Sequence, residues 1–246
     1  MSAPSLGRAP GRGALGSSDF GCDRCGGSGF LLDEEANVAR PCECRQRRIA
    51  LARTRSLSHQ IPSRFLEVGF DRHPVKDMDP MIVREVRRFC DGIDERLDAG
   101  DGMWFQGPRG TGKTTLAMLV SQHALRARRA VAIYTLPQLL AEIRKTYDSD
   151  SEQSYLELMR RLAGVDLLHL EDVAVAHTTD WVLEQLYTVI NDRYQEQRSI
   201  VFTADVERPE DLAEHVGERT YSRLIEMCGD PLPLRGEDRR ISVGAG

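Results

Sequence analysis

The run Gly107-Pro108-Arg109-Gly110-Thr111-Gly112-Lys113-Thr114 constrains this chain more than any other feature. It follows a short apolar segment, Met103 to Gln106, and precedes a helical pattern through Leu116, Leu119 and Val120. G-x-x-x-x-G-K-[ST] between a strand and a helix is a phosphate cradle. Its glycines let the loop wrap so that successive backbone N–H groups and the helix N-terminus face phosphate oxygens. Lys113 then reaches the β and γ oxygens, and the Thr114 hydroxyl holds Mg2+. Residues Gly107 to Thr115, with Thr115 the last, are the expected nucleotide contacts. A purely structural glycine-rich turn is the alternative, and the flanking strand and helix argue against it.

Binding a nucleotide does not imply cleaving it, so the second acidic signal matters. Val165 to Leu170 is an apolar run ending in Glu171 and Asp172. An acid at the tip of a strand beside a phosphate loop meets the metal, and the next one orients and deprotonates the attacking water. Glu171 is the expected metal-side acid and Asp172 the expected base. The alternative is a buried strand that merely ends in a polar turn.

Around these motifs the sequence alternates apolar segments with helical patterns. The expected strands are Met103 to Gln106, Ala130 to Tyr134, Val165 to Leu170 and Ser199 to Thr203, which together predict an α/β fold with a mostly parallel sheet covered on both faces. Ile82, Val86, Phe89, Ile93 and Leu97 have the spacing of one amphipathic helix, which carries Cys90; Cys90 and Cys228 read as ordinary buried cysteines. The expected divisions are a disordered lead-in over 1–19, a cysteine module and basic helix over 20–60, a linker over 61–80 and a nucleotide domain over 81–246. With 246 residues, 41% of them hydrophobic, the chain has material for one substantial core and a small appendage. No run approaches the roughly 18 to 20 apolar residues of a membrane span, so a cytoplasmic protein without a membrane partner is expected. The net charge of −5 leaves any DNA contact to a local patch.

Cys22-Asp23-Arg24-Cys25 and Cys42-Glu43-Cys44 offer four thiolates, enough to close a tetrahedral Zn2+ site. Gly26, Gly27 and Gly29 suit a knuckle whose N–H groups point at sulfur. Redox thiols and unliganded cysteines are the alternatives. So small a segment cannot fold by burial alone, so metal binding and folding should be coupled. Arg40, Arg45, Arg47, Arg48, Arg53 and Arg55 face a single acid, Glu43. That patch reads as a phosphate-binding surface, a solvated helix face or a surface for an acidic partner.

Further stretches carry a resemblance: Thr179-Asp180-Trp181 with Glu184-Gln185-Leu186-Tyr187, then Asn191-Asp192-Arg193-Tyr194, then Gly217-Glu218-Arg219-Thr220-Tyr221-Ser222-Arg223-Leu224. With the nucleotide motifs they make the chain, from Cys22 onward, resemble the DnaC/DnaI-type helicase loaders and their relative, the IstB transposition helper, among the AAA+ ATPases. The resemblance implies an AAA+ P-loop core preceded by a zinc module that docks on a DnaB-type replicative helicase. It also implies ATP and Mg2+ as ligands, assembly side by side with like subunits or with helicase, and contact with single-stranded DNA. It makes Arg223 an arginine finger acting in trans, with Arg219 one turn earlier as the second candidate and a surface salt bridge as the bland reading. It puts a DNA-contacting element near Arg144, Lys145 and Tyr147, where a solvent-facing helix end is the alternative. The family usually ends this strand with two aspartates, where this chain has Glu171. It tends to carry asparagine at the tip of the following strand, where this chain has Thr203-Ala204-Asp205. Either the Thr203 hydroxyl substitutes, or turnover is slow. Arg235, Arg239 and Arg240 lie in a segment too short for a helical lid. The reading is a helicase-loading ATPase, slow and partner-dependent. An IstB-like transposition helper and an ATP-sensing adaptor with little hydrolysis are its alternatives.

Overall fold

The computed structural model describes residues 22, 24–26, 28–33, 38–45, 61–148, 152–174, 179–236 and 238. The expected lead-in over 1–19 and nearly all of the basic helix after Arg45 lie outside them. The chain divides into two compact units, Met1–Arg48 and Ile49–Gly246.

In the first unit, β1 (Phe30–Asp33) and β2 (Val38–Pro41) form an antiparallel hairpin, with Phe30 opposite Pro41 and Asp33 opposite Val38. The Cys42 N–H donates to the Gly29 carbonyl at 3.0 Å, extending the pairing by one bond. The hairpin therefore brings the end of the first cysteine pair beside the start of the second. Two strands this short carry almost no apolar alternation, which is why the sequence reading passed over them.

The second unit is built on a parallel sheet of β3 (Met103–Gln106), β4 (Val131–Thr135), β5 (Leu167–Glu171), β6 (Ser199–Ala204) and β7 (Leu232–Pro233), in the order β4-β5-β6-β3-β7. Every residue of β3, β5 and β6 is buried, as expected of strands covered on both faces. Leu168 and Leu170 face one layer, with Trp104, Tyr134 and Phe202. Leu167 faces the other, with Phe105, Ile133 and Val201. The first layer is closed by α4 (Leu136–Asp148), α5 (Glu152–Gly164), α6 (Asp180–Gln195), α7 (Asp211–Val216) and α8 (Glu218–Cys228). The second is closed by α1 (Pro80–Asp91), α2 (Ile93–Ala99) and α3 (Lys113–Arg126).

The amphipathic run from Ile82 to Leu97 is two helices, not one. Asp79 caps α1 by accepting from the Met81 N–H, Pro80 takes the first turn, and the run breaks at Gly92 before α2 begins. Cys90 is buried, while Cys228 is only partly so. Residues 61–80, expected as a linker, carry Phe65, Val75 and Met78 into the second layer through two short 3-10 turns. On the opposite face the guanidinium of Arg193 is fully buried and donates to the carbonyls of Leu162, Val165, Asp166 and Ser199 at 2.5–3.3 Å. It ties the ends of α5 and the starts of β5 and β6 to α6.

Candidate nucleotide site

Two crossovers leave the middle of the sheet on opposite faces. β3 continues into α3 on one side, and β6 continues into α7 and α8 on the other. A crevice consequently opens at the carboxyl ends of β3, β5 and β6, the place where open α/β sheets take ligands. The loop Gly107 to Gly112 lies there, and α3 begins with Lys113.

Sterics in this loop demand glycine. Gly107 has φ 138°, and a Cβ there would sit 2.1 Å from the Leu234 carbonyl oxygen. Gly110 has φ 77°, and a Cβ there would sit 2.0 Å from the Asp238 carboxyl group. The cradle is therefore closed on one side by the segment running out of β7, whose Leu234 N–H donates to the Gln106 carbonyl at 2.7 Å. Lys113 is 6% exposed. Its Nζ donates to the carbonyls of Gly107 (2.8 Å) and Pro108 (2.7 Å) and pairs with Asp205 Oδ1 at 2.7 Å. Asp205 Oδ2 also accepts from Arg109 Nε at 3.0 Å. The carboxylate at the tip of β6, which unpaired would repel phosphate, is thus neutralised by two cations.

Thr114 Oγ1 donates to Glu171 Oε2 at 3.1 Å, so a hydroxyl and a carboxylate from α3 and β5 meet in one spot. Two hard oxygens so close suit Mg2+. Burial pushes Glu171 above the usual carboxylate range, and the Thr114 hydrogen bond works against that shift. Asp172 is raised as well, by burial first and then by the Asp205 charge, with Lys113 and Arg109 opposing. Its backbone is held in the left-handed region, φ 56°, by an N–H···Oγ1 bond to Thr203 of 3.1 Å and by the next N–H, from Val173, to the Thr203 carbonyl at 3.0 Å. The fully buried Thr203 hydroxyl is thus engaged with the backbone that presents Asp172.

These groups line a cavity of about 610 Å³ that includes Arg109, Gly110, Gly112, Lys113, Thr114, Thr115, Glu171, Asp172 and Asp205. Arg64, Phe65, His73 and Pro74 form another wall. Sequence reasoning missed that wall, because irregular turns carry no periodicity; an aromatic and prolines upstream of the phosphate loop were the only hint. His169 was missed too. It is fully buried in β5, its Nδ1 lies 2.8 Å from Ser121 Oγ on α3, and burial lowers its pKa to about 3, which leaves the ring neutral.

Arg223 does not line this cavity. Its guanidinium stacks 4.0 Å above the Tyr194 ring, and Tyr194 donates its hydroxyl to Glu226 Oε2 at 2.6 Å. With Tyr187, Glu218, Arg219 and Ser222 it lines a separate open depression. Neither Arg219 nor Arg223 pairs with a carboxylate among the described residues.

In the first unit the ligating atoms of Cys22, Cys25, Cys42 and Cys44 all lie within 4.8 Å of one another, with Cys22–Cys42 at 3.9 Å and Cys25–Cys44 at 3.3 Å. Zn–S bonds of about 2.3 Å at tetrahedral angles set sulfurs about 3.8 Å apart, so the set fits zinc. The Gly29 N–H points at Cys25 Sγ at 3.3 Å, as the knuckle requires. Arg45 lies over the Phe30 ring at 4.4 Å, and the other arginines of the basic segment beyond it lie outside the described residues.

No helix among the described residues is long and apolar enough to cross a membrane. The chain is 19% identical over 161 residues to the replicative helicase loader DnaC of Buchnera aphidicola subsp. Acyrthosiphon pisum, a match covering 65% of this chain and 64% of that protein. It is 30% identical over 129 residues to a putative insertion sequence ATP-binding protein, y4pL, of Sinorhizobium fredii, covering 52% of this chain and 51% of the relative. The chain thus spans less than two thirds of these relatives' own length. A crystal structure of the DnaC helicase loader superposes with a TM-score of 0.60 at 22% identity, over 70% of this chain and 99% of that one, which establishes the AAA+ fold. The family model described as IstB-like ATP binding protein matches residues 29–213, and the chain belongs to that IstB-like ATP-binding family.

Proposed function

We propose that the chain is an ATPase that loads a DnaB-type replicative helicase onto single-stranded DNA. The observation that carries the reading is the convergence of Lys113, Thr114, Glu171, Asp172 and Asp205 in one crevice at the strand tips. Lys113 exchanges its Asp205 contact for the β and γ oxygens of ATP, and the loop N–H groups from Gly107 to Thr115 receive the remaining phosphate oxygens. Thr114 and Glu171 would hold a magnesium ion, which would supply positive charge to the phosphates. Asp172, presented by Thr203, orients the attacking water and accepts its proton.

Arg223 serves a neighbouring subunit. A planar cation without a carboxylate partner among the described residues, kept in place by an aromatic face, is ready to meet γ-phosphate charge when two molecules assemble. Turnover by the isolated chain is accordingly slow. Cys22, Cys25, Cys42 and Cys44 would hold a zinc ion that would tie the hairpin together, and that unit docks on the helicase. Single-stranded DNA meets α4, where Arg144 lies 4.6 Å over Trp181 and the exposed Tyr147 stacks on Tyr155 with ring centroids 6.0 Å apart. A cationic and aromatic surface of this kind suits unpaired bases. The family relationship and the DnaC relative support the reading, and a cytoplasmic location goes with it.

The second reading, an IstB-like transposition helper, is favoured by the 30% identity to the insertion-sequence ATP-binding protein. Retention of the cognate replicative helicase on the immobilised chain, with and without ATP, separates the two when a Cys22→Ser/Cys25→Ser variant is run alongside. Capture that disappears in the variant supports the loader. Absence of capture in every nucleotide state transfers the assignment to transposition.

A further inference from the structure

We propose that His169 is a positioning residue for Glu171: from the middle of β5, its Nε2–H steers the Glu171 carboxylate into the orientation in which it and Thr114 receive the divalent cation of the nucleotide. This rests on the assignment of Glu171 as the metal-side acid and goes beyond it by naming what holds that acid.

Residues 169 and 171 lie on the same face of β5 by strand alternation, the face toward α3. Neighbouring positions of the strand are filled by Leu167, Leu168 and Leu170, so packing alone does not call for an imidazole. The ring is 0% exposed, and both nitrogens must be accounted for. Nδ1 is satisfied by Ser121 Oγ at 2.8 Å. Nε2 has no hydrogen-bond partner and faces Glu171 Oε1 at 3.7 Å. With Ser121 donating to Nδ1, the proton sits on Nε2 and points at a carboxylate oxygen. In the other tautomer a lone pair would face that oxygen, which is repulsive.

At 3.7 Å the contact is too long for a hydrogen bond, and a shift of about 0.7 Å would make it one. That shift has a reason to occur. The other oxygen, Oε2, is held by the Thr114 hydroxyl in this structure. When that hydroxyl turns toward a cation, Glu171 loses its anchor. Glutamate has one more side-chain torsion than aspartate, so the freed carboxylate would spread over more rotamers. His169 anchors it from beneath, and the Ser121–His169 pair runs from the phosphate-loop helix to the acid it must face.

The test is binding of fluorescent ADP to the full chain, in EDTA and across a Mg2+ titration, for wild type, His169→Leu, His169→Gln and Ser121→Ala. Affinity in EDTA should agree within about twofold for all four. The Mg2+ midpoint should rise about tenfold in His169→Leu, the scale of a lost hydrogen bond to a charged group. Ser121→Ala should raise it about threefold, as expected of a weaker, indirect effect on the tautomer. His169→Gln, whose amide places a donor near the position of Nε2, should stay within threefold of wild type. If His169→Leu does not fold, Ser121→Ala and His169→Gln still carry the test. Midpoints equal to wild type in His169→Leu and Ser121→Ala would overturn the proposal, as would equal losses in the Leu and Gln variants, which would mark a packing role. If wild type binds fluorescent ADP no better with Mg2+ than in EDTA, the metal-side assignment of Glu171 fails first, and this proposal falls with it.

Discussion

Replacing Asp205 by asparagine should tighten ATP binding while lowering the melting temperature of the nucleotide-free protein. Lys113 Nζ has three donors, and all are occupied, by the carbonyls of Gly107 and Pro108 and by Asp205 Oδ1. A phosphate oxygen must displace one of them, and Asp205 is the competitor that also repels it. Two unit charges about 4 Å apart interact by about 4 kcal/mol at an effective dielectric of 20. Asp205 and Lys113 have side chains 16% and 6% exposed, so water screens them only in part. Arg109, which also pairs with Asp205, offsets another share. About 1–2 kcal/mol of net opposition remains, or about 5- to 30-fold in affinity. Equilibrium titration with a fluorescent ATP analogue in Mg2+ reads the first effect and thermal unfolding without nucleotide the second. Opposite movement of the two is the signature of a competing ion pair. Unchanged or weaker ATP binding in Asp205→Asn would show that Asp205 does not compete with phosphate for Lys113.

Thr203→Val removes the acceptor for the Asp172 N–H. Single-turnover hydrolysis should fall at least tenfold, with nucleotide affinity within about threefold and a stability loss of about 1–2 kcal/mol for the orphaned donor. Arg193→Met leaves four carbonyls without their donor, and chemical denaturation should show a loss of about 3–5 kcal/mol, the range for breaking a buried charged network. Burial pushes Cys90 up to about 12, so at neutral pH it stays a protonated thiol and should resist alkylation in the folded protein. Cys22, Cys25, Cys42 and Cys44 should become reactive when a chelator is added, as mass spectrometry of the labelled sites would show. Arg223→Ala should leave ATP affinity unchanged while abolishing the rise in specific ATPase activity with protein concentration, an effect of tenfold or more for a finger in trans.

The features most legible in the sequence are those whose chemistry requires contiguous residues. The phosphate loop needs Gly107 to Thr114 in a row, and the strand before it runs Met103–Gln106 as expected. Elsewhere the strand ends moved. β5 begins at Leu167, because Asp166 turns back to accept the Ala130 N–H, and it extends through Glu171. β7 is only two residues long, one of them proline, and exists because the Leu232–Leu234 segment runs along β3. No local pattern announces such a strand. The break at Gly92 was within reach, since a glycine stood in the middle of the apparent helix. The wall formed by Arg64, Phe65, His73 and Pro74 was not, because its residues are joined only by the folded path of 3-10 turns. His169 was visible as a polar residue in an apolar strand, but its partner Ser121 lies 48 positions away, and only the packing of α3 on β5 unites them.

In the proposed function, ATP bound through Lys113 drives delivery of a helicase to single-stranded DNA. A loading assay tests it most directly: unwinding of a duplex on a single-stranded circle coated with single-strand binding protein, by the cognate replicative helicase, with wild-type chain or Lys113→Ala. Unwinding should require the wild-type chain and ATP and be lost in Lys113→Ala. Equal unwinding without the chain, or with the Lys113→Ala variant, would contradict it.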